Sequence, residues 1–500
     1  MPTTAIANPT LGFDSELIRK YDTLGPRYTS YPSADRFTEA FTAEDLVGAL
    51  LGRHGGPGAQ QPLSLYVHLP FCNTICYYCA CNKVITKDHG RSAKYIRYLA
   101  READILSALT DSDATVSQLH WGGGTPTFLA AEEMKTLTRI LRKRFAFSAD
   151  ADCAIEVDPR KVDADTVALL AELGFNRMSL GVQDFDRQVQ QAVNRTQTEE
   201  ETLAVLDAAR ANGFRSINID LIYGLPKQTP PGFATTLSKV VAAAPDRIAL
   251  YNYAHVPHLF KPQRRINEAE LPAAKDKLKI LESAIATLIQ AGYIYIGMDH
   301  FAKPDDELAV AQRKGKLQRN FQGYSTHADC DLLALGISAI GKVGTTYSQN
   351  VRTLDEYYDR LDAGALPAFR GWQLSADDVL RREVIHDVMC HGALSFSSIE
   401  SCHGIAFSDY FAIELDALKP LVVDGLVTLT DDSTPGDVAR ETDGAQRSDG
   451  VRPLPARAAR ALALFTRNLT SELPSPAVWR RDQNESSGPA GDLVMATVTM

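Results

Sequence analysis

Leu63-Ser-Leu-Tyr-Val-His-Leu-Pro-Phe-Cys72-Asn-Thr-Ile-Cys76-Tyr-Tyr-Cys79-Ala-Cys81 is the stretch on which the reading of the fold turns. Its first seven residues, Leu63–Leu69, are a short apolar run of strand composition. The cysteines follow at once, so they occupy a loop at the C-terminal end of that strand. Parallel α/β sheets and barrels carry their sites at this edge. Working outward, further strand-like runs recur at Ser117–Trp121, Cys153–Val157, Arg177–Val182, Ser216–Tyr223 and Arg247–Tyr253. Amphipathic stretches separate them: Ala93–Leu109, Glu132–Phe145, Asp165–Leu173, Glu199–Ala211 and Phe233–Ala244. Strand–helix alternation of this kind specifies βαβ units and a parallel sheet. Six units are too few for a closed eight-fold barrel; a partial barrel and an open doubly wound sheet both fit.

The thiols decide what the loop can hold. Four of the eight cysteines fall within ten residues, while Cys153, Cys330, Cys390 and Cys402 are scattered. One tight cluster in a long chain reads as a metal site in a reducing compartment rather than as a disulfide framework. Zinc takes four ligands, usually as two separated pairs, and no second pair is visible. Three thiolates at Cys72, Cys76 and Cys79 can hold three irons of a [4Fe–4S] cubane and leave the fourth open. A structural cluster takes four cysteines, so an open iron implies a small-molecule ligand and chemistry.

Five hundred residues imply two or three domains, and 45% apolar residues supply a sizeable core. A formal charge of −10 argues against nucleic acid or an anionic membrane as the main partner. No run of eighteen apolar residues exists, and the start MPTTAIANPTLGFDSELIRK lacks the apolar core of a secretory signal. A cytoplasmic protein is the expectation.

A second motif, Trp121-Gly-Gly-Gly-Thr-Pro126, ends the second strand run, where glycines let backbone amides approach a ligand. Glu156, Gln183 and Asp220 stand at the ends of later strand runs, and Ala254 and His255 follow the sixth. A carboxylate inside an apolar run is costly to bury unless paired, so these residues suggest one shared pocket. Arg195 begins the next helical stretch.

The C-x-x-x-C-x-x-C spacing is that of the radical S-adenosylmethionine (SAM) superfamily. Longer strings resemble one of its families, oxygen-independent coproporphyrinogen III oxidase. They are Tyr21–Phe37, Leu65–Lys83, Leu119–Thr127, Glu156–Arg160, Asn218–Thr229, Met298–Arg313 and Asn320–Thr326, within a match over roughly 15–430. The resemblance implies a (βα)6 partial TIM-type barrel with parallel strands and a small, mainly helical C-terminal domain. It implies oxidative decarboxylation of two propionates of coproporphyrinogen III to vinyl groups, giving protoporphyrinogen IX. The 5′-deoxyadenosyl radical made from SAM starts that reaction. Cys72, Cys76 and Cys79 then ligate the cluster, and Tyr66, Gly123 and Glu156 match contacts to one SAM. Tyr78, Gly124, Thr125, Gln183, Arg195, Asp220, Ala254 and Ile340 match contacts to a second SAM. Cys81 and Tyr66 are the expected catalytic side chains. Arg27, Lys83, Arg264, Arg265 and Arg319 are candidates for holding substrate carboxylates. The remaining expectations are a monomer served by a low-potential electron donor such as flavodoxin or ferredoxin. Two alternatives share the barrel: a haem-binding chaperone, and a radical SAM enzyme acting on another substrate.

Five regions are expected: an N-terminal segment at 1–59 contributing to the substrate site, and the partial barrel at 60–300. A barrel extension on the substrate side (301–372) and a small helical domain (373–432) follow. A tail from 433 to 500 departs from the family. It is rich in Pro, Gly, Ser, Asp and Arg, which reads as disorder. Lys275–Gly292 reads as a helix and Tyr293–Phe301 as one strand.

Overall fold

Six parallel strands carry the molecule's main sheet: β1 (Leu63–Leu69), β2 (Thr115–Gly123), β3 (Ala146–Val157), β4 (Arg177–Gln183), β5 (Ser216–Tyr223) and β6 (Arg247–Asn252). They pair in chain order, β1 to β6, in the computed structural model. The structure describes residues 15–21, 31–53, 61–110, 113–327, 330–430 and 450–453. Helices α1 (His89–Ala108), α2 (Ala131–Arg144), α3 (Ala164–Glu172), α4 (Glu199–Ala211), α5 (Pro230–Ala243) and α6 (Ala274–Gln290) follow the strands one by one. Their ends are set locally: Thr198 accepts from the Glu201 amide (3.1 Å) while Glu201 accepts from the Thr198 amide (2.9 Å), a reciprocal cap on α4.

Period-two alternation divides every strand between two environments. Leu65, Val67, Leu119, Trp121, Ile155, Leu180, Ile219 and Leu250 face the helices and join one apolar core with Leu99, Leu137, Leu170, Leu206 and Leu237. Each such buried side chain contributes about 2 kcal/mol relative to exposure. Their alternates, Tyr66, His68, His120, Glu156, Ser179, Asn218 and Asp220, point to the other face. One side of the sheet therefore builds the core, and the other builds a site.

The sheet stays open. Beyond β6 run β7 (Ile294–Gly297) and β8 (His300–Ala302), antiparallel to each other, where one strand over Tyr293–Phe301 was expected. Met298 takes a left-handed φ of 45°, which turns the chain back on itself and divides that run. On the opposite edge β9 (Asp331–Leu335) adds a seventh parallel strand beside β1. It is followed by antiparallel β10 (Ile340–Val343), β11 (Thr346–Asn350) and β12 (Ala368–Gln373). A buried carboxylate ties α1 to this extension. Glu102 accepts from Tyr357 Oη (2.6 Å), Asn350 Nδ2 (2.7 Å) and the Gly336 amide (2.7 Å). Burial pushes it up to about 7, although those three donors pull the other way.

This unit comprises Ala34–Val310 and Phe321–Gln373, while a smaller unit draws on Met1–Ser33, Ala311–Asn320 and Leu374–Ala490. The N-terminal segment expected as one piece (1–59) thus divides at Ser33. The cause is apolar: Phe41, Leu46 and Leu50 join the barrel core, whereas Leu17, Tyr21 and Tyr31 join the other. The smaller unit contains helices Ala376–His391, Phe396–His403 and Ala412–Val423 around Val384, Phe407, Phe411 and Leu418. Arg381 and Glu414 form an ion pair inside it (2.8 Å). Within the tail expected to be disordered, Gly450–Pro453 is a strand placed between Leu394–Ser395 and Val427–Thr430. It takes up backbone groups that the two strand edges present. The rest of 433–500, apart from this strand, lies outside the described residues.

Candidate active site

The cysteine loop is fastened from both sides. Gly124 and Thr125 donate their amides to the carbonyls of Leu69 (2.8 Å) and Phe71 (2.9 Å), and Asn194 Nδ2 donates to the Ile75 carbonyl (2.7 Å). The glycines of the second motif serve this closeness. Gly123 has φ +111°, and a Cβ on Gly124 would come within 2.5 Å of the Pro70 carbonyl. The triplet therefore lets β2 end tight against β1, where its amides are taken up by Leu69 and Glu156. The Gly123 amide donates to Glu156 (3.2 Å).

Cys72, Cys76, Cys79 and Cys81 line one cleft of about 130 Å3 together with Tyr78, Gly123, Gly124, Thr125, Glu156, Gln183, Arg195 and Asp220. On the same sheet face the Tyr66 ring stacks on His120 (5.6 Å between centroids, 10° between planes). His120 Nε2 lies 3.3 Å from Glu156. His68 completes the support. Burial lowers its pKa, so the ring is neutral, and Nε2 donates to the Asn82 carbonyl (2.9 Å). That leaves Nδ1 to accept from the Tyr66 hydroxyl (3.1 Å).

Charge surrounds the thiols. Arg195 Nη1 and Arg160 Nη2 point at Cys76 Sγ (3.7 and 3.9 Å), and Thr125 Oγ1 donates to Cys72 Sγ (3.4 Å). Asp158 lies between the two arginines, with Arg160 bonded to both its oxygens. Burial pushes Asp158 upward, but Arg195 and Arg160 overcome it and hold the carboxyl at about 2. Lys83 Nζ donates to the carbonyls of Cys79 (3.0 Å) and Cys81 (3.1 Å). Gathered thiols ringed by cationic groups and a hydroxyl donor suit an anionic iron–sulfur cluster held by Cys72, Cys76 and Cys79. Asp220 accepts from Ser179 (2.8 Å) and Asn218 (2.8 Å), and burial raises it to about 7. Gln183 adopts a left-handed φ of 68° at the end of β4, a conformation costing about 1 kcal/mol.

Three expected residues, Tyr66, Ala254 and Ile340, stand outside the cleft lining. Ala254 is exposed, though Gln263 Nε2 bridges its carbonyl (3.2 Å) to that of Tyr78 (3.1 Å). Ile340 is buried on β10. Of the expected carboxylate anchors, Lys83 borders the cleft, Arg264 donates to the Pro257 carbonyl (2.9 Å) and Arg265 covers the Tyr77 ring (5.4 Å). Arg319 belongs to the smaller unit, and Arg27 lies outside the described residues. Sequence reasoning missed His68, His120, Asp158, Arg160 and Gln263. Strand alternation carried the signal for both histidines, since each shares the inner face with Tyr66.

An open parallel sheet with three spaced thiols above β1 and a glycine turn above β2 defines a radical SAM protein. The model of the Radical SAM superfamily matches residues 66–240. The chain is 53% identical to oxygen-independent coproporphyrinogen III oxidase of Pseudomonas aeruginosa, over 84% of this chain and 91% of that one. It is 49% identical to the Escherichia coli protein of the same name, over 83% and 90%. The solved structure of coproporphyrinogen III oxidase from Escherichia coli, described as a radical SAM enzyme, superposes with a TM-score of 0.83. That superposition shows 45% identity and covers 91% of this chain and 99% of the other. The chain belongs to the oxygen-independent coproporphyrinogen III oxidase family.

Proposed function

We propose that this cleft carries out the oxygen-independent oxidation of coproporphyrinogen III to protoporphyrinogen IX, a step of haem biosynthesis. The observation that carries the reading is the thiol loop beside Glu156 and Asp220, in a chain 53% identical to a protein named for that activity. When bound, a [4Fe–4S] cluster and SAM supply the radical that removes a propionate hydrogen, after which CO2 and one electron are lost. Cys72, Cys76 and Cys79 hold the irons. Arg160 and Arg195 offset negative charge at Cys76, while Asp158 keeps the two guanidinium groups together. Tyr66 offers a flat face fixed by His68 and His120, and Glu156 presents carboxylate oxygens for the first SAM. We assign Tyr78, Gly124, Thr125, Gln183, Arg195, Asp220, Ala254 and Ile340 to a second SAM.

Cys81 borders the cleft without being needed as an iron ligand, and we assign it to the reaction with substrate. Cys81→Ser should keep iron content and lose turnover; loss of iron would remove that assignment. The substrate side is assigned to the regions 1–59 and 301–372. The working protein is a cytoplasmic monomer reduced by a flavodoxin or ferredoxin. No helix among the described residues is long and apolar enough to cross a membrane. The test is an anaerobic assay of the reconstituted protein with SAM, reductant and coproporphyrinogen III. Formation of protoporphyrinogen IX with release of CO2 is expected. Tight haem binding without turnover would overturn the oxidase reading in favour of a haem chaperone.

A further inference from the structure

The last turns of helix Ala376–His391, in the smaller unit, gather four side chains that can ligate a metal: His386, Asp387, Cys390 and His391. At 3.6 residues per turn these positions fall within about 140° of one another around the axis, so they share one side of the helix. Cys390 is buried, while His386, Asp387 and His391 keep 25%, 31% and 22% of their side chains exposed, enough for an ion to reach them. Asp387 Oδ1 faces both imidazoles, 3.7 Å from His386 Nδ1 and 3.9 Å from His391 Nε2. Those gaps are too wide for hydrogen bonds. They suit ligands gathered about one ion, since atoms bound about 2.1 Å from a tetrahedral zinc stand about 3.4 Å apart. One donor atom from each of the three residues lies within 4.8 Å of the other two, so small side-chain rotations close the set.

Independent observations point to a ligand there. Among the described residues His391 makes no hydrogen bond of ordinary length: Nδ1 is buried without a partner, and Nε2 reaches only Asp387. A buried ring nitrogen left unpaired is costly, and a half-turn about Cβ–Cγ presents either nitrogen to the gap. His386, by contrast, is held from behind, with Nε2 3.5 Å from Cys390 Sγ. With its proton on Nε2, the ring turns the Nδ1 lone pair toward Asp387, and a partner of this kind is what fixes the tautomer of a metal-binding histidine. The helix end adds charge. His391 is the last helical residue before Gly392, which has a left-handed φ of 62°, and the final carbonyls carry partial negative charge that favours a cation. Two imidazoles and one carboxylate, with a coordination position left for water, are a donor set for divalent ions of the zinc and iron class.

We propose that His386, Asp387 and His391 bind one divalent transition-metal ion at the C-terminal end of helix Ala376–His391, with Cys390 orienting His386. The site shares no residue with the thiol cleft and does not depend on the oxidase reading. Its test uses the reconstituted holoenzyme, whose thiols are taken by the cluster, equilibrated anaerobically with zinc in competition with a chromophoric chelator. Metal analysis of the wild type should give one zinc per chain in addition to the cluster iron. Zinc affinity should fall about a hundredfold in H386Q/H391Q and about tenfold in D387N. C390S, whose hydroxyl still takes the His386 proton, should fall less than D387N. Iron content and reductive SAM cleavage report on the fold of each variant and should stay at wild-type levels. Zinc should also shield His386 and His391 of the unsubstituted chain from acylation by diethyl pyrocarbonate, read residue by residue in mass spectra, which needs no variant to fold. Wild type without zinc beyond the iron overturns the proposal, as does full zinc affinity in H386Q/H391Q. Equal acylation of both histidines with and without zinc overturns it too.

Discussion

Glu102 and Asp220 are both buried carboxylates in the barrel unit, and burial holds both up to about 7. Their surroundings differ. Glu102 receives three donors from Tyr357, Asn350 and Gly336 and faces no cavity lined by thiols. Asp220 receives two, from Ser179 and Asn218, and lines the cleft shared with Arg195 and Glu156. A carboxylate has about four acceptor positions, so Asp220 keeps capacity for a ligand, whereas Glu102 is nearly saturated by its own chain. A raised pKa marks burial in both cases. Donor accounting and an adjoining cavity separate a site from a clamp.

The largest effect that can test this division is at the thiols. Replacing Cys72, Cys76 or Cys79 by Ser should abolish iron binding and all reductive SAM cleavage, since hard oxygen replaces soft sulfur. The clamp should stay intact, with Glu102-dependent stability unaltered. A serine variant that keeps the visible cluster absorbance and cleaves SAM would end the ligand assignment.

Next in size is Glu102→Ala. It strands three buried donors and should cost about 3 kcal/mol in denaturant titration, with iron content and SAM affinity unchanged. A loss of SAM affinity matching the loss of stability would erase the distinction between clamp and cleft.

Glu156→Ala reverses that pattern. About tenfold weaker SAM binding, some 1.4 kcal/mol, is expected with less than about 1 kcal/mol of lost stability. A large fall in melting temperature with unaltered SAM affinity would make Glu156 a second Glu102.

The smallest effect is a pH dependence. Glu102 moves from its ordinary 4.5 up to about 7 and Asp220 from 3.8 up to about 7, so each folded pKa lies above its unfolded value. Their contribution is present in full below about pH 4 and is lost as pH rises toward 7. Glu102→Gln should therefore flatten the stability profile between pH 4 and 7, whether or not SAM is bound. Asp220→Asn should flatten it in the SAM-free protein and also remove pH dependence from SAM affinity near pH 7. Identical responses of the two variants to SAM would show that the two carboxylates play one role.

Residues close together in sequence made much of this legible. Leu63–Leu69 reads as a strand because it is a short, mainly apolar run, and the structure gives it the same bounds. The cysteine loop is readable because three regularly spaced thiols lie within eight residues, whatever the rest of the chain does. Glu156, Gln183 and Asp220 were found because polarity at the end of an apolar strand is locally anomalous. Tyr293–Phe301 was misread as one strand because a single left-handed residue, Met298, carries little compositional signal.

Tertiary structure alone decided the partners. Asp158 gains meaning from Arg195, which arrives through β4 and the segment after it, and Glu102 from Asn350 and Tyr357, some 250 positions away. The sequence by itself determined the cluster chemistry, the strand–helix alternation and the family, because each rests on spacing within one segment. Which charges are paired, which are saturated and which stay open for a ligand depends on chain closure over hundreds of residues. Only the folded sheet brings those groups within hydrogen-bonding distance.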